Sequence, residues 1–307
     1  MADLPSCRVQ PSRCFTHVGT DFAGPFTVKT STRRNAPSTK GYLCLFICMA
    51  IKAVHLEMVS ELSTEAFLAA FDRFVSCRGL PSHIYSDCGR NYVGAARHIR
   101  EVQAFLANSE SSISNSLAPR GMTNFGGLWE AGVKSAKALL YRLISDTPHT
   151  HEEYATLFAR IEAVLNSRPL CAVPQDPAEG PDYLSPGHFL KGSPLLSPPE
   201  HTEPDNSSHL SRWHQVRQLH QTFWTRWSRE YLHTQMQRGK WTRNNPNLQV
   251  GDVVFSMEPA TTPLSWPIGR VKQLYPGRDD VVRVAYIRTP SGTYTRPVNK
   301  LINLPVA

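Results

Sequence analysis

The stretch GYLCLFICMAIKAVHLEMV, residues 41–59, decides the fold class of the first half of this 307-residue chain. Its first ten residues form an apolar run that is typical of a buried strand. From Ala53 to Val59 apolar side chains alternate with His55 and Glu57, which is the period of a half-buried strand. The stretch therefore predicts two neighbouring strands, with His55 facing solvent or filling space rather than binding a metal.

The residues on either side of this stretch extend the pattern. A first strand is predicted over His17–Ala23, and Gly24-Pro25 closes it because proline cannot donate to a sheet ladder. A helix is predicted to start at Ser63 or Thr64, either of which can cap it, and to end at Gly79-Leu80-Pro81. The order strand, strand, strand, helix is the beginning of an α/β arrangement.

Three later elements complete this unit. A short strand over His83–Ser86 can return parallel to the first strand. Apolar residues at helical spacing predict a helix from Trp129 to Ile144. Thr150-x-x-Glu153 is a capping box that opens another helix, which Asn166-Ser167-Arg168-Pro169 stops. The predicted fold class is α/β, with a mixed sheet flanked by helices.

The composition indicates a globular protein of about two domains. Hydrophobic residues make up 41% and charged residues 19%, and no apolar stretch has the length of a membrane span. The first residues lack the basic and apolar regions of a secretory signal. The seven cysteines are scattered without a C-x-x-C pair, which argues against a disulfide framework or a zinc ribbon. Most are predicted to be core thiols in a reducing compartment.

The domain organisation follows from composition shifts. Residues 171–204 contain eight prolines, which is typical of an extended connector. Beyond it lie a long amphipathic helix and short strands separated by turn residues, which predict a small β-barrel. We predict a leader over 1–15, an α/β core over 16–170, a proline-rich connector over 171–207, a long basic amphipathic helix over 208–248 and a small β-barrel over 249–307.

The charge is concentrated in the last third of the chain. Residues 1–204 carry 19 Lys+Arg against 19 Asp+Glu, whereas 205–307 carry 14 against 6, which accounts for the whole net charge of +8. Such a segment should attract a polyanion. The alternative is an ordinary solvated basic surface.

Three carboxylates stand at the ends or within the elements of the predicted core. Asp21 lies in the first strand, Asp87 directly follows the strand at 83–86, and Glu130 begins a helix. Strand ends and helix starts converge at one edge of an open α/β sheet. Carboxylates suit Mg²⁺ or Mn²⁺, and two such ions could serve phosphoryl transfer on DNA. The alternative is that these acids have ordinary structural roles. An Asp after a strand, such as Asp87, is common in turns, and a Glu in the first turn of a helix, such as Glu130, interacts favourably with the helix macrodipole.

Several blocks of sequence occur in a characteristic order. The blocks in the first half of the chain are VGTDFAGPF (18–26), KAVHLE (52–57), YSDCGRNY (85–92), NFGGLWE (124–130) and LNSRPL (165–170). The C-terminal blocks are VGDVV (250–254), WPIGRV (266–271) and YTRPVNKL (294–301). Together these blocks, which extend from about residue 15 to 305, resemble the integrase of BEL/Pao-type LTR retrotransposons.

The resemblance implies a ribonuclease-H-like core in which Asp21, Asp87 and Glu130 form a catalytic triad that holds two Mg²⁺ or Mn²⁺ ions. Similar enzymes trim the DNA ends of their element with water and then use the 3′ hydroxyl to attack target DNA. The implied partners are DNA and further copies of the chain, without a membrane or a small-molecule substrate. The implied place of action is the nucleus, after synthesis in the cytoplasm.

Basic and aromatic residues near these blocks are candidate DNA contacts. Lys134 and Lys137 share a helix face with Glu130 and could hold phosphates, although Lys134 could equally form an ordinary side-chain pair with Glu130. Arg212 and Arg226 on the long helix are further candidates. Their neighbours Trp213, Trp224 and Trp227 are predicted to pack in a core rather than to stack on bases.

The chain also departs from the family pattern. Cys88 stands where relatives have asparagine, the loop over 113–124 lacks most of the expected prolines, and the paired histidines and cysteines of a zinc-binding N-terminal segment are missing. These differences keep a second function open. In that alternative the chain is a catalytically inactive, integrase-derived protein that binds DNA or takes part in assembly.

Overall fold

The computed structural model describes residues 10–33, 35–86, 92–97, 116–117, 137–144, 148–173, 183–195, 211–235, 247–257 and 262–304. The chain divides into two compact units. The first comprises Met1–Asn166 and Asp205–His220, and the second comprises Ser167–Pro204 and Gln221–Ala307.

A mixed sheet forms the centre of the first unit. The strand order is β3-β2-β1-β4-β5, and β6 pairs with the far end of β1. The first three strands are antiparallel, whereas β4 and β6 run parallel to β1. The predicted α/β class with a mixed sheet is confirmed. The strands are β1 (His17–Lys29), β2 (Ser38–Cys48), β3 (Val54–Val59), β4 (His83–Tyr85), β5 (Ser116–Leu117) and β6 (His149–Thr150).

The first strand does not end at Gly24-Pro25, as the sequence predicted. It continues to Lys29, and its register against β2 shifts between Ala23 and Phe26. The Gly24–Pro25 peptide is cis, and Gly24 has a φ of 137° that only glycine adopts readily. Pro25 therefore lies in a bulge, where its missing N–H does not interrupt the regular ladder.

The helices of this unit begin where their capping residues predicted. Ser63 caps α1 by accepting a hydrogen bond from the Ala66 N–H. Thr150 and Glu153 form the predicted reciprocal box, since each side chain accepts from the other residue's backbone N–H, at 3.3 and 2.8 Å. The described helical segments are α1 (Thr64–Arg78), α2 (92–97), α3 (137–144) and α4 (His151–Ser167).

Aromatic side chains join the helices to the sheet. Phe74 of α1 stacks on Phe46 of β2 with ring centroids 4.5 Å apart, and Phe158 of α4 lies 5.8 Å from Phe26 of β1. All four rings are buried. Each such burial contributes about 1.5–3 kcal/mol, so α1 and α4 are fixed on the sheet that carries Asp21.

The second unit contains a sheet of five antiparallel strands in the order β12-β11-β10-β9-β13. Among the described residues this sheet stays open, which corrects the predicted closed barrel. A 3₁₀ turn, Val298–Lys300, lies between β12 and β13 where a closing ladder would be needed. The strands are β9 (Val253–Ser256), β10 (Ile268–Pro276), β11 (Val282–Thr289), β12 (Gly292–Pro297) and β13 (Leu301–Asn303).

The proline-rich stretch contains regular structure, although the sequence predicted an extended connector. Its described residues form a hairpin of β7 (Cys171–Ala172) and β8 (Tyr183–Leu184), followed by α5 (Pro186–Lys191). The long helix α6 spans Ser211–Gln235. No helix in the part of the chain that the structure describes is long and apolar enough to cross a membrane.

The tryptophans of α6 differ in burial. Trp224 and Trp227 are 1% and 4% exposed and pack edge-on against Trp266, so their predicted core role is confirmed. Trp213 remains 44% exposed, and the same prediction is wrong for it. One face of its ring is covered by the guanidinium of Arg160, 4.9 Å from the ring centroid. The Trp213 ring is therefore stabilised by a cation–π contact rather than by burial in a core.

Candidate active site at Asp21

Asp21 lies in the middle of β1, a strand that pairs with β2 on one side and with β4 on the other. It pairs with Leu45 of β2, and its side chain is 32% exposed. The Oδ1 atom accepts a hydrogen bond from the Phe22 N–H at 2.7 Å, and Oδ2 forms an ion pair with Lys137. The sheet thus holds a partly exposed carboxylate with a cation already on one oxygen.

Lys137 stands at the start of the described part of α3. Besides its ion pair with Asp21, its ammonium group donates to the Phe22 carbonyl at 2.9 Å. The side chain is only 17% exposed. Lys137, which the sequence predicted to contact DNA, therefore pairs with Asp21, which the sequence predicted to bind metal. Its contact with DNA stays a prediction.

Tyr141, one helical turn after Lys137, makes a second attachment to β1. Its hydroxyl donates to the Gly24 carbonyl at 2.6 Å and accepts from the Gly24 N–H, and its ring stacks on Phe26. Two polar side chains four residues apart therefore align α3 along β1. The sequence prediction missed Tyr141, although its spacing from Lys137 places both on one helix face.

Three aromatic rings stack at the start of the parallel ladder between β1 and β4. His17 lies over His83 with ring centroids 4.6 Å apart, and its Nδ1 is 3.2 Å from the Tyr85 hydroxyl. Burial, and then the neighbouring His83, lower the pKa of His17. An uncharged imidazole can stack in this way without repulsion, which fixes β4 in register with β1.

The other predicted site residues are distributed unevenly. Asp87, Glu130 and Lys134 lie outside the described residues. Within the described ranges, no three histidine, cysteine or acidic side chains converge on one possible metal position. Asp21 and Lys137 are thus the two predicted residues that the structure brings together.

Arg212 has a protein partner. Its Nε and Nη2 atoms donate to the two oxygens of Glu153, both at 2.6 Å. Burial would raise the pKa of Glu153, but the hydrogen bonds from Arg212 lower it to about 2. This bidentate pair joins the start of α6 to the start of α4. Arg226 is exposed on α6.

A second charged cluster lies on β3, and it contains the imidazole of His55. His55 is 6% exposed, with Nε2 at 3.0 Å from Glu57 and Nδ1 at 3.2 Å from Glu162. Arg73 pairs with Glu57, and Arg78 with Glu162. The sequence prediction of a solvent-facing or space-filling imidazole did not include these ion pairs, because Glu162 lies 106 positions away from β3 in α4.

Comparisons with known proteins give a family match over part of the chain and a similarity to solved structures. Residues 211–304 match a family model described as a family of unknown function (DUF5641). The whole chain is similar to a chain in the cryo-EM structure of the simian T-cell lymphotropic virus intasome in complex with PP2A regulatory subunit B56 gamma. That alignment has 14% sequence identity, covers 98% of this chain and 85% of the other, and has a TM-score of 0.36. No curated protein sequence matches the chain.

Proposed function

We propose that this chain is a retrotransposon integrase of the BEL/Pao type, a metal-dependent polynucleotidyl transferase that trims DNA ends and joins them to target DNA. In this proposal Asp21, Asp87 and Glu130 are the catalytic carboxylates. The observation that carries it is the position of Asp21 in the sheet, next to the strand that leads to Asp87.

The strand register supports the pairing of the two aspartates. In the parallel ladder between β1 and β4, Val18 stands opposite Ile84 and Gly19 opposite Tyr85. Two positions further along both segments of sequence come Asp21 and Asp87. The two aspartates are therefore separated by the same number of residues as the paired positions of β1 and β4. Two unrelated acids would have no reason to show this separation, so the agreement favours a common site.

The surroundings of Asp21 fit a divalent cation. Its carboxylate is partly exposed and accommodates one cation already, the Lys137 ammonium group. Carboxylate oxygens are the ligands that Mg²⁺ and Mn²⁺ prefer. When bound, two such ions would activate the attacking oxygen and stabilise the leaving oxygen at phosphorus. While no metal ion is bound, Lys137 balances the charge of Asp21.

The second unit is proposed to bind DNA through phosphates, with little sequence selectivity. The sequence excess of positive charge lies in residues 205–307, and Arg226, Arg278 and Arg288 are exposed on α6 and on the antiparallel sheet or its turns. Arginine and lysine on an open surface supply the salt-dependent part of DNA affinity. Assembly into a homo-oligomer on paired DNA ends and action in the nucleus belong to the same proposal.

The second candidate is a catalytically inactive, integrase-derived DNA-binding or assembly protein. The observation that favours it is the pairing of Asp21 with Lys137, because a permanent cation on this carboxylate would compete with a metal ion. Cys88 in place of the family's asparagine points the same way.

Strand joining separates the two candidates. The full chain is incubated with a labelled duplex that carries the element's own end sequence, target DNA and Mg²⁺ or Mn²⁺. We expect joined products that disappear in Asp21→Asn and Glu130→Gln. Asp72→Asn is the matched control, because Asp72 is an exposed acid on α1. DNA binding without nicking or joining under either metal would establish the inactive alternative.

A further inference from the structure

The hairpin between β1 and β2 carries a local excess of positive charge. Residues 22–56 contain five lysines or arginines and no acidic residue, although residues 1–204 as a whole carry equal numbers of both charges. Four of the five lie within twelve positions, at Lys29, Arg33, Arg34 and Lys40, and this segment, residues 29–40, is the basic hairpin. Arg34 itself lies outside the described residues. A charge count over the first two thirds of the chain conceals this concentration.

Backbone pairing holds the basic hairpin on the sheet. The Thr30 N–H and the Thr30 hydroxyl group both donate to the Pro37 carbonyl, at 3.1 and 3.2 Å. Just before this turn, Lys29 stands opposite Ser38 of β2 on one side and Thr150 of β6 on the other. The charged side chains therefore project from a hydrogen-bonded turn at the end of a paired strand.

The strand register places Lys29 and Lys40 on the same face of the sheet. Lys29 stands opposite Ser38, and Lys40 stands opposite Thr27. Alternate residues of a strand share a face, so all four side chains lie on one side. Thr27, Ser38 and Lys40 are exposed, and Lys29 is half-buried. The two lysines are diagonal neighbours about 7–8 Å apart, so their ammonium groups can contact one stretch of phosphate backbone.

The basic hairpin is separate from the candidate active site. The β2 partners of Asp21 and Phe26 are an even number of positions apart, so both side chains lie on the face that carries α4. Thr27 and Lys29 therefore lie on the opposite face. Lys29 is also eight positions after Asp21, which corresponds to about 25 Å along an extended strand. A ligand of the basic hairpin thus does not compete for the Asp21 carboxylate.

The charges of the basic hairpin are not neutralised by neighbouring acids. Arg73 and Arg212, in helices of the same unit, each form an ion pair with a glutamate. Among the residues that the structure describes, no carboxylate pairs with Lys29, Arg33 or Lys40. Unpaired cations that are close together on a surface raise the local concentration of a polyanion.

The side chains around these cations select the kind of polyanion. The basic hairpin contains five serines and threonines, four of which are exposed, and no aromatic, Leu, Ile, Val or Met residue. A membrane-binding surface combines basic side chains with large apolar ones that enter the lipid. Lysine, arginine, serine and threonine are instead the side chains that contact the phosphates of nucleic acids. The composition therefore favours a nucleic-acid backbone over a lipid surface.

We propose that the basic hairpin is a second nucleic-acid contact of this chain, which binds the phosphate backbone of a DNA duplex through Lys29, Arg33 and Lys40. Because it lies on the opposite face from Asp21, it suits a stretch of duplex other than the one whose phosphate reacts. The inference rests on the proposed function for the choice of DNA as the ligand, but the contact itself requires no catalysis.

The first test is protection of the lysines from acetylation. The full chain is treated briefly with an acetylating reagent, with and without a 30-base-pair duplex, and the modified peptides are quantified by mass spectrometry. We expect DNA to slow the acetylation of Lys40 and Lys29 severalfold. This protection should disappear as the salt concentration rises, because contacts with phosphates depend on counterion release.

The second test is the salt dependence of DNA affinity in the double variant Arg33→Gln/Lys40→Gln. Both positions are exposed, so the fold should be kept, and circular dichroism checks it. Fluorescence anisotropy should give a salt slope smaller by about two and an affinity weaker by about tenfold at low salt, because two phosphate contacts are lost. Arg13→Gln, which changes an exposed arginine before the other end of β1, is the control and should leave the slope unchanged.

The outcomes separate this inference from the proposed function. Protection of Lys40 and a smaller salt slope without any strand joining would support the basic hairpin and count against the catalytic proposal. Strand joining without protection, and with an unchanged slope in the double variant, would overturn the inference alone. Protection by anionic lipid vesicles but not by DNA would also overturn it, since the ligand would then be a lipid surface.

Discussion

The carboxamide of Asn166 bonds to both backbone groups of Val54. Its Oδ1 atom accepts from the Val54 N–H and its Nδ2 donates to the Val54 carbonyl, each at 2.8 Å. One turn earlier in α4, Glu162 accepts from the Leu56 N–H at 2.9 Å. Because β3 is the edge strand of the sheet, these side chains satisfy backbone groups that would otherwise be buried without partners.

Replacement of Asn166 tests this edge. Asn166→Ala should lower the free energy of unfolding by about 2–4 kcal/mol, because a buried N–H and a buried carbonyl each lose a partner at a cost of about 1–3 kcal/mol. Urea unfolding followed by circular dichroism gives the value. Glu152→Ala, an exposed position in the same helix, is the control and should change stability by less than about 0.5 kcal/mol. Equal losses in both variants would contradict the assignment.

The imidazole of His55 should make stability depend on pH. Burial alone would lower the pKa of His55, but the carboxylates of Glu162 and Glu57, at 3.2 and 3.0 Å from its two ring nitrogens, raise it above its usual value. A raised pKa in the folded state means that the stabilisation is fully present below about pH 6.5 and is lost as the pH rises through the raised pKa. The protonated ring contributes by bridging two carboxylates.

The variant His55→Gln, which keeps hydrogen bonding but cannot carry charge, measures this contribution. We expect a loss of about 3–5 kcal/mol at pH 6, the cost of breaking a buried ion pair, and a smaller difference from wild type at pH 9. Unfolding is measured at both pH values. Arg283→Gln removes an exposed pair with Asp279 and serves as the control. A difference that stays constant with pH would show that His55 is uncharged throughout.

Arg212 and Arg226 should separate stability from DNA binding. Arg212→Gln removes two charged hydrogen bonds to Glu153 and should lower the free energy of unfolding by about 2 kcal/mol. Arg226→Gln should leave stability within about 0.5 kcal/mol and weaken DNA binding, with a salt slope smaller by about one. Unfolding curves and fluorescence anisotropy at several salt concentrations measure the two effects. Unchanged DNA affinity in Arg226→Gln would remove that residue from the proposed interface.

Lys137 should compete with divalent cations for Asp21. If the proposed function holds, Lys137→Ala should bind Mn²⁺ more tightly by a factor of about five or more, since about 1 kcal/mol of ion pairing no longer opposes binding. Electron paramagnetic resonance of free Mn²⁺ measures the affinity without relying on catalysis. Lys40→Ala, at an exposed position on β2, is the control. Identical affinities in the two variants would contradict competition.

The sequence by itself determined the elements of this protein. The apolar run at 41–50 and the alternation after it identified two of the strands, and Ser63 and the Thr150/Glu153 box fixed the starts of two helices, because periodicity and capping act within a few residues. Asp21 was placed in a strand for the same reason. The sequence missed the continuation of β1 past Gly24-Pro25, since a bulge depends on the partner strand.

Only the tertiary structure decided what those residues touch. It placed Lys137 on Asp21, Arg212 on Glu153 and Asn166 on Val54, although the sequence patterns suggested DNA contacts for the first and second and only a helix stop for the third. These partners are 59 to 116 positions apart. Local periodicity carries no information over such distances, because the contacts arise when helices pack on a sheet and charged or amide groups leaving water must find a partner.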